Sequence, residues 1–254
     1  MEDLKVENRV YGEKVNIDYN QTLEFFENRG KNKKLGTKYN YVLFQDDSPD
    51  IAIKRDSQEK SRICKFLSWD KKDIVLDIGC GIGRWGETIL EKGLKYVGID
   101  YSTKLLKIAE ENLTQFGKTK ILLHGSFQRF REVLSENGIN NVFQKIFING
   151  VMMYINDMDL KNGLDNVLST CDEYCEIYFK ESMATNERLT LKDFYSDSLT
   201  QKYTVIYRSI AEYRELIERY FVENKFKIKE EGVLFEETLQ NRKETLDYFF
   251  ILKR

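Results

Sequence analysis

Asp77-x-Gly79-x-Gly81-x-Gly83 follows the apolar run that begins at Ile74, and a helical pattern opens at Arg84. Glycine at alternate positions leaves a turn with no side chains in the way, where the backbone can adopt positive φ and approach a ligand closely. A buried parallel strand, such a turn and a helix N-terminus together bind a nucleotide-like molecule at the carboxyl edge of a sheet. The next apolar run, Tyr96-Val-Gly-Ile, ends in Asp100, about 20 residues beyond the turn, the spacing of a ribose-binding acid in such a unit. A carboxylate there can accept from both ribose hydroxyls, and Tyr101 can lie against an adenine face. The other reading of Asp100 is an acidic N-cap for the following helix, a role that Ser102 would serve equally well.

Two cofactor classes use this geometry. A nicotinamide site wants Gly-x-Gly-x-x-Gly directly after the strand, with pyrophosphate on the helix N-terminus. Counted from Gly79, the third position falls on Arg84; counted from Gly81, the pattern fits Gly81, Gly83 and Gly86 but moves the turn two residues away from the strand. Asp77 to Gly83 suits a ligand without pyrophosphate, and it resembles the first motif of class I S-adenosylmethionine-dependent methyltransferases. That resemblance extends over roughly the whole chain. It implies S-adenosylmethionine as cofactor and S-adenosylhomocysteine as product, with Asp77, Gly79, Cys80, Gly81 and Gly83 forming the turn and Asp100 and Tyr101 taking the adenosine. Ser126 stands where family members carry an acidic residue for the adenine amino group, with the Phe127 backbone N–H beside it. Asn149, at the end of the fourth strand, passes the methionine part. Tyr154 stands where the family often has His or Tyr near the reacting methyl group. Asn20–Gly30 resembles a helix that covers the cofactor, with Arg29 matching an arginine that pairs with its carboxylate; the other reading of Arg29 is the start of a solvated basic loop.

On the acceptor side, Tyr19 and Tyr11 can flank a sulfonium or simply pack in a cap. His124, the sole histidine, is a base of suitable pKa if it faces the site and an edge residue if it does not; Glu181 is a further candidate. Lys54, Arg55, Lys60 and Arg62, interleaved with Asp56 and Glu59, read as a solvated helix face with i,i+4 pairs, or as a grip on an acceptor phosphate. The four cysteines form no C-x-x-C pair, and with one histidine no metal site is expected.

The elements that must position these residues alternate. Strands near Ile74, Tyr96, Ile121, Lys145 and Tyr174 are separated by helices over Arg84–Lys92, Thr103–Phe116, Phe127–Asn137 and Asp157–Ser169. A long helix, Ser209–Asn224, and strands Phe226–Glu231 and Thr245–Leu252 follow. This predicts an α/β fold: a doubly wound, seven-stranded, mostly parallel sheet with an antiparallel C-terminal strand. Residues 1–70 form an N-terminal helical cap, 71–254 the core, and 182–208 an inserted lid in which Leu189–Phe194 and Tyr203, Val205 and Tyr207 suggest a hairpin.

At 254 residues with a net charge of −2, no global positive field favours nucleic acid. No run of eighteen apolar residues and no signal-peptide core occur, so a cytoplasmic protein, monomer or homodimer, is expected, with a small-molecule partner and neither nucleic acid nor membrane. The resulting expectation is a methyltransferase acting on O or N of a small molecule. The layout resembles bacterial enzymes that methylate sugars or specialised metabolites, and a nucleotide-linked or phosphorylated sugar is the expected acceptor. An NAD-dependent oxidoreductase using Gly81, Gly83 and Gly86, and a non-catalytic cofactor-binding module, are the alternatives.

Overall fold

The computed structural model describes residues 8–32, 35–45, 47–196, 199–240 and 242–254. Two sheets organise it. The larger has the order β4-β3-β2-β5-β6-β10-β9. It comprises β2 (Ile74–Ile78), β3 (Lys95–Asp100), β4 (Lys120–His124), β5 (Phe143–Asn149), β6 (Cys171–Ala184), β9 (Lys227–Val233) and β10 (Thr245–Lys253). β2 to β6 run parallel, and β10 lies antiparallel between β6 and β9. The expected sheet is therefore present.

Side-chain alternation on β2 explains how the sheet becomes buried on both faces. Leu76 and Ile78 enter one core with Val97, Ile99, Ile146 and Phe179. Val75 enters the other with Phe147, Tyr178 and Phe249. The helices α4 (Arg84–Glu91), α5 (Thr103–Asn112), α6 (Phe130–Glu136), α7 (Asp157–Thr170) and α8 (Ile210–Ile217) cover the faces, as parallel sheets require. α8 is shorter than its sequence pattern, because the chain continues as a π-turn over Glu218–Val222.

The second sheet, order β1-β7-β8, joins β1 (Arg9–Tyr11) to the hairpin of β7 (Leu189–Ser196) and β8 (Gln201–Tyr207). The hairpin is the one that the alternation at 203–207 suggests; its partner β1 comes from the far N-terminus. This sheet, α1 (Tyr19–Lys31) and the single-turn α2 (Asn40–Leu43) enclose a third core of Phe25, Phe26, Ile82, Met153, Tyr154 and Leu191. α1 is tied to the N-terminus of α5 by Glu27, whose carboxylate accepts from Ser102 Oγ at 2.9 Å and the Lys104 N–H at 3.2 Å. α3 (Pro49–Ile63) lies over β6 and β10 on the Tyr178 face, where Glu59 accepts from the Tyr178 hydroxyl at 2.8 Å. Arg55, Asp56 and Glu59 are buried, so that part of α3 is no solvated helix face.

Among the described residues, no helix is long and apolar enough to cross a membrane. No group of three or more His, Cys, Asp or Glu among them could hold a metal ion.

α7 presses directly on the Phe127 ring: a Cβ on Gly163 would lie 1.9 Å from it. Gly163→Ala gains about 1 kcal/mol of helix propensity but meets overpacking of roughly 1–3 kcal/mol. It is expected to lower the melting temperature in a thermal scan; an unchanged or raised midpoint would show that the ring yields freely.

Candidate active site

A cavity of about 710 Å³ opens at the carboxyl ends of the parallel strands and is roofed by α1, α2 and the small sheet. One end is the glycine turn. Gly79 has φ +74°, and a Cβ there would lie 2.3 Å from a Val151 methyl carbon; the position therefore needs glycine twice over. The Gly79 and Cys80 N–H groups donate back to the Ile99 carbonyl at 2.7 and 3.0 Å, tying the turn to β3. Asp100 completes the tie, accepting from the Gly81 N–H at 2.8 Å through Oδ2 and from the Ser102 N–H at 2.9 Å through Oδ1. Burial raises its carboxyl to about 6, against the pull of those two N–H bonds. Asp77 accepts the Tyr96 hydroxyl at 2.8 Å, and burial raises it to about 7.

Asp77, Gly79, Cys80, Gly81, Asp100, Tyr101, Ser126, Phe127, Asn149, Tyr154 and Tyr19 all line this cavity. Gly83 does not: its φ of +75° places it at the start of α4, packed toward Leu113. Two buried polar atoms of lining residues, the Tyr101 hydroxyl and Gln128 Oε1, have no hydrogen-bond partner among the described residues. Orphaned polar atoms beside a glycine cradle fit a ligand with polar edges such as an adenosine.

Three predicted residues are placed elsewhere. Tyr11 sits in β1 opposite Leu189 and is 48% exposed, because the N-terminal strand turns its side chain out from the small sheet. His124 ends β4 on the outer side, its Nε2 3.0 Å from the Tyr101 carbonyl oxygen, and is no part of the cavity wall. Arg29 is buried in the cap, donating to the Asn40 carbonyl and lying 5.2 Å over the Phe44 ring. It too is absent from the lining, and its contacts with Asn40 and Phe44 brace α2.

The tyrosines in the wall are tightly held. Tyr19 donates to Asp159 at 2.5 Å and accepts the Asn156 N–H at 3.0 Å; burial and that carboxylate push it up to about 12. Tyr154 packs edge-on against Phe26, and burial raises it well above the ordinary tyrosine value. Its loop is fixed from behind by Glu181, which accepts the N–H groups of Val151, Met152 and Met153 at 2.9, 2.9 and 3.3 Å. Arg208 adds bonds to the Met152 and Ile155 carbonyls at 2.7 Å each. Glu181, raised to about 7 by burial, therefore positions the loop and stands outside the lining.

The far end of the cavity is charged; of its residues the sequence pointed to Arg55, in the basic group read alternatively as a grip on a phosphate, and not to Lys180, Arg242 or Asp247. Asp247 on β10 pairs with Arg55 at 2.6 Å and Lys180 at 3.0 Å, and takes the Ser182 hydroxyl at 3.1 Å. Arg242 donates to the Tyr203 hydroxyl at 2.5 Å. The available signals were Lys180 and Asp247 themselves, charges set within apolar strands. Of the basic group on α3, Arg55 alone lines the cavity; Lys60 pairs with Asp56, and Arg62 binds the Val233 and Leu234 carbonyls.

Residues 75–173 match the family described as "Methyltransferase domain". Across 166 residues the chain is 24% identical to phosphoethanolamine N-methyltransferase 3 of Arabidopsis thaliana; the match covers 65% of this chain and 32% of that protein. The chain thus spans about a third of that relative's length. Phosphoethanolamine N-methyltransferase 1 of Haemonchus contortus, solved with phosphoethanolamine and S-adenosylhomocysteine, superposes with a TM-score of 0.68 at 16% identity, over 91% of this chain and 48% of that one. Magnesium protoporphyrin IX methyltransferase of Synechocystis PCC 6803, solved with S-adenosylmethionine, gives 0.62 at 12% identity, over 95% and 100%. The fold is the one these methyltransferases share.

The raised carboxyls carry a pH consequence. Asp77, Asp100 and Glu181 hold their protons to about 7, 6 and 7 in the folded chain, whereas unfolded carboxylates lose theirs near 4. Their contribution to stability is complete below the unfolded value and is lost as pH rises through the folded ones. The ligand-free protein is expected to weaken from pH ~5 to ~7.5 in urea unfolding, and Asp77→Asn to flatten that slope by about 1.4 kcal/mol per pH unit at most. A wild-type stability that rises over the window would contradict the burial of these protons.

Proposed function

We propose that the chain is an S-adenosylmethionine-dependent methyltransferase acting on a small-molecule acceptor. The observation that carries this reading is the joined geometry of Gly79–Gly81, Asp100 and Tyr101 at one end of the cavity, supported by the methyltransferase-domain match over the same strands. Asp100 would receive the ribose hydroxyls, Tyr101, Ser126 and Phe127 would hold the adenine, and the Asn149–Tyr154 loop would pass the methionine end. When bound, the cofactor supplies an electrophilic methyl on a positively charged sulfur.

The work left to the protein is alignment, which can supply much of the rate. Several described lining residues that could act as a base are otherwise engaged. Burial raises Tyr19 and Tyr154, Asp77 accepts the Tyr96 hydroxyl, and Asp159 accepts the Tyr19 hydroxyl. Asp100 accepts two backbone N–H groups and is given to the ribose, and His124 lies outside the lining. A neutral nitrogen acceptor, whose proton leaves to solvent after transfer, therefore fits better than a hydroxyl. Sugars bearing an amine remain within the proposal.

A nicotinamide dinucleotide fits poorly. Arg84, the first residue of α4, is flanked by Asp56 at 2.8 Å and Glu59 at 2.7 Å, so the helix N-terminus that would take a pyrophosphate already has two carboxylates beside it.

Calorimetry with S-adenosylhomocysteine and NADH in parallel tests the assignment: the former should bind and the latter should not, and the reverse would overturn it. Affinity should fall as pH drops below about 6, where Asp100 gains its proton. Asp100→Ala, with Asp100→Asn as the gentler change, should weaken S-adenosylhomocysteine on the order of 100-fold. Unchanged affinity would show that the ribose lies elsewhere.

A further inference from the structure

The hydrogen bonds around Tyr19 leave one buried atom over. The Tyr19 hydroxyl gives its only proton to Asp159 at 2.5 Å and takes the Asn156 N–H at 3.0 Å. The Gln128 side chain lies against the same oxygen, where its contact favours loss of the proton, as a donor's does. A phenol whose proton is spent can only accept, so the Gln128 amide faces Tyr19 with its NH2 group. The other end of that amide, Oε1, is buried and has no hydrogen-bond partner among the described residues.

Gln128 has little freedom to repair this. It lies in the loop after β4, and its backbone carbonyl accepts from Asn166 Nδ2 on α7 at 2.9 Å. The neighbouring Phe127 ring is pressed by Gly163 of the same helix. The start of α1 is held from the other side, because the Asn156 side chain accepts the Ile17 N–H at 2.7 Å and donates to the Ile17 carbonyl at 3.1 Å. α7 and its N-cap therefore fix both the loop that carries Gln128 and the helix start that carries Tyr19. The result is a carbonyl oxygen held in the cavity wall with its lone pairs unused, which is costly unless a ligand brings an N–H.

The donors of the cofactor can be apportioned by place. The ribose hydroxyls fall to Asp100 and the ammonium to the Asn149 end, which leaves the adenine amino group for the loop of Ser126, Phe127 and Gln128. Ser126 stands where an acceptor-only carboxylate was expected, and its hydroxyl gives as readily as it takes. Resting on the cofactor reading above, we propose that Gln128 Oε1 receives the adenine amino group and that Tyr19 is the positioning residue that holds the amide in that orientation. Tyr19 belongs to the cap, so the helix that roofs the cavity takes part in telling an amino group from a carbonyl on the base.

Calorimetric titration with S-adenosylhomocysteine and with S-inosylhomocysteine, which carries a carbonyl where adenine has its amino group, tests the assignment. The wild type should prefer the former at least about tenfold. Gln128→Ala should weaken S-adenosylhomocysteine about tenfold and leave the inosyl compound within about twofold, so that the preference collapses. Tyr19→Phe frees the amide to turn and should strengthen the inosyl compound, whose carbonyl can then take the NH2 group; damage to the cap alone would weaken both ligands alike. Gln128 is on a loop, so Gln128→Ala carries the test if Tyr19→Phe fails to fold. Equal wild-type affinities, or a full preference kept by Gln128→Ala, would overturn the contact. Equal weakening of both ligands by Tyr19→Phe would overturn the positioning role. Binding of neither ligand to the wild type would overturn the cofactor reading, and this proposal with it.

Discussion

Where parallel strands end, the chain turns away and its backbone N–H groups lose their ladder partners, and at this sheet edge carboxylates from elsewhere in the chain receive them. Asp100 takes the Gly81 and Ser102 N–H groups, and Glu181 takes those of Val151 to Met153. Buried N–H groups left unpaired would each cost about 1–3 kcal/mol. These bonds therefore hold the loops in one arrangement, and the cavity is the space between loops so held.

The same device gives the cavity two unlike ends. At the glycine turn the available groups are backbone atoms and two carboxylates whose protons burial retains into the neutral range. At β6 and β10 they are the Asp247 carboxylate and the Arg55 and Lys180 cations paired with it. A cofactor with ribose hydroxyls suits the first. The rings of Phe26, Tyr101 and Tyr154 pack edge-on between the cap and the strand ends and give the middle of the cavity an aromatic wall.

Much of this was legible in advance. The sheet, its order of helices and the glycine turn follow from apolar periodicity and from glycines at alternate positions, and Asp100 stands where the spacing places it. Long-range contacts were not legible. Arg29 looked like a ligand contact because it ends a covering helix, yet it turns into the cap toward Asn40. Tyr11 sat beside Tyr19 in the candidate set, but strand pairing with β7 points it outward. His124 drew attention as the lone histidine, and the last residue of β4 falls on the outer side of the sheet edge.

The sequence by itself determined the local units: strand, turn and helix depend on side-chain pattern and backbone freedom within a dozen residues, and those are written in order. Which charges meet was decided only by the tertiary structure. Arg55, Lys180 and Asp247 are separated by more than sixty residues at each step, and only the crossing of α3 over the β6–β10 pair brings them within 3.0 Å. Coulomb attraction across a cavity depends on distance in space, for which spacing along the chain is no guide.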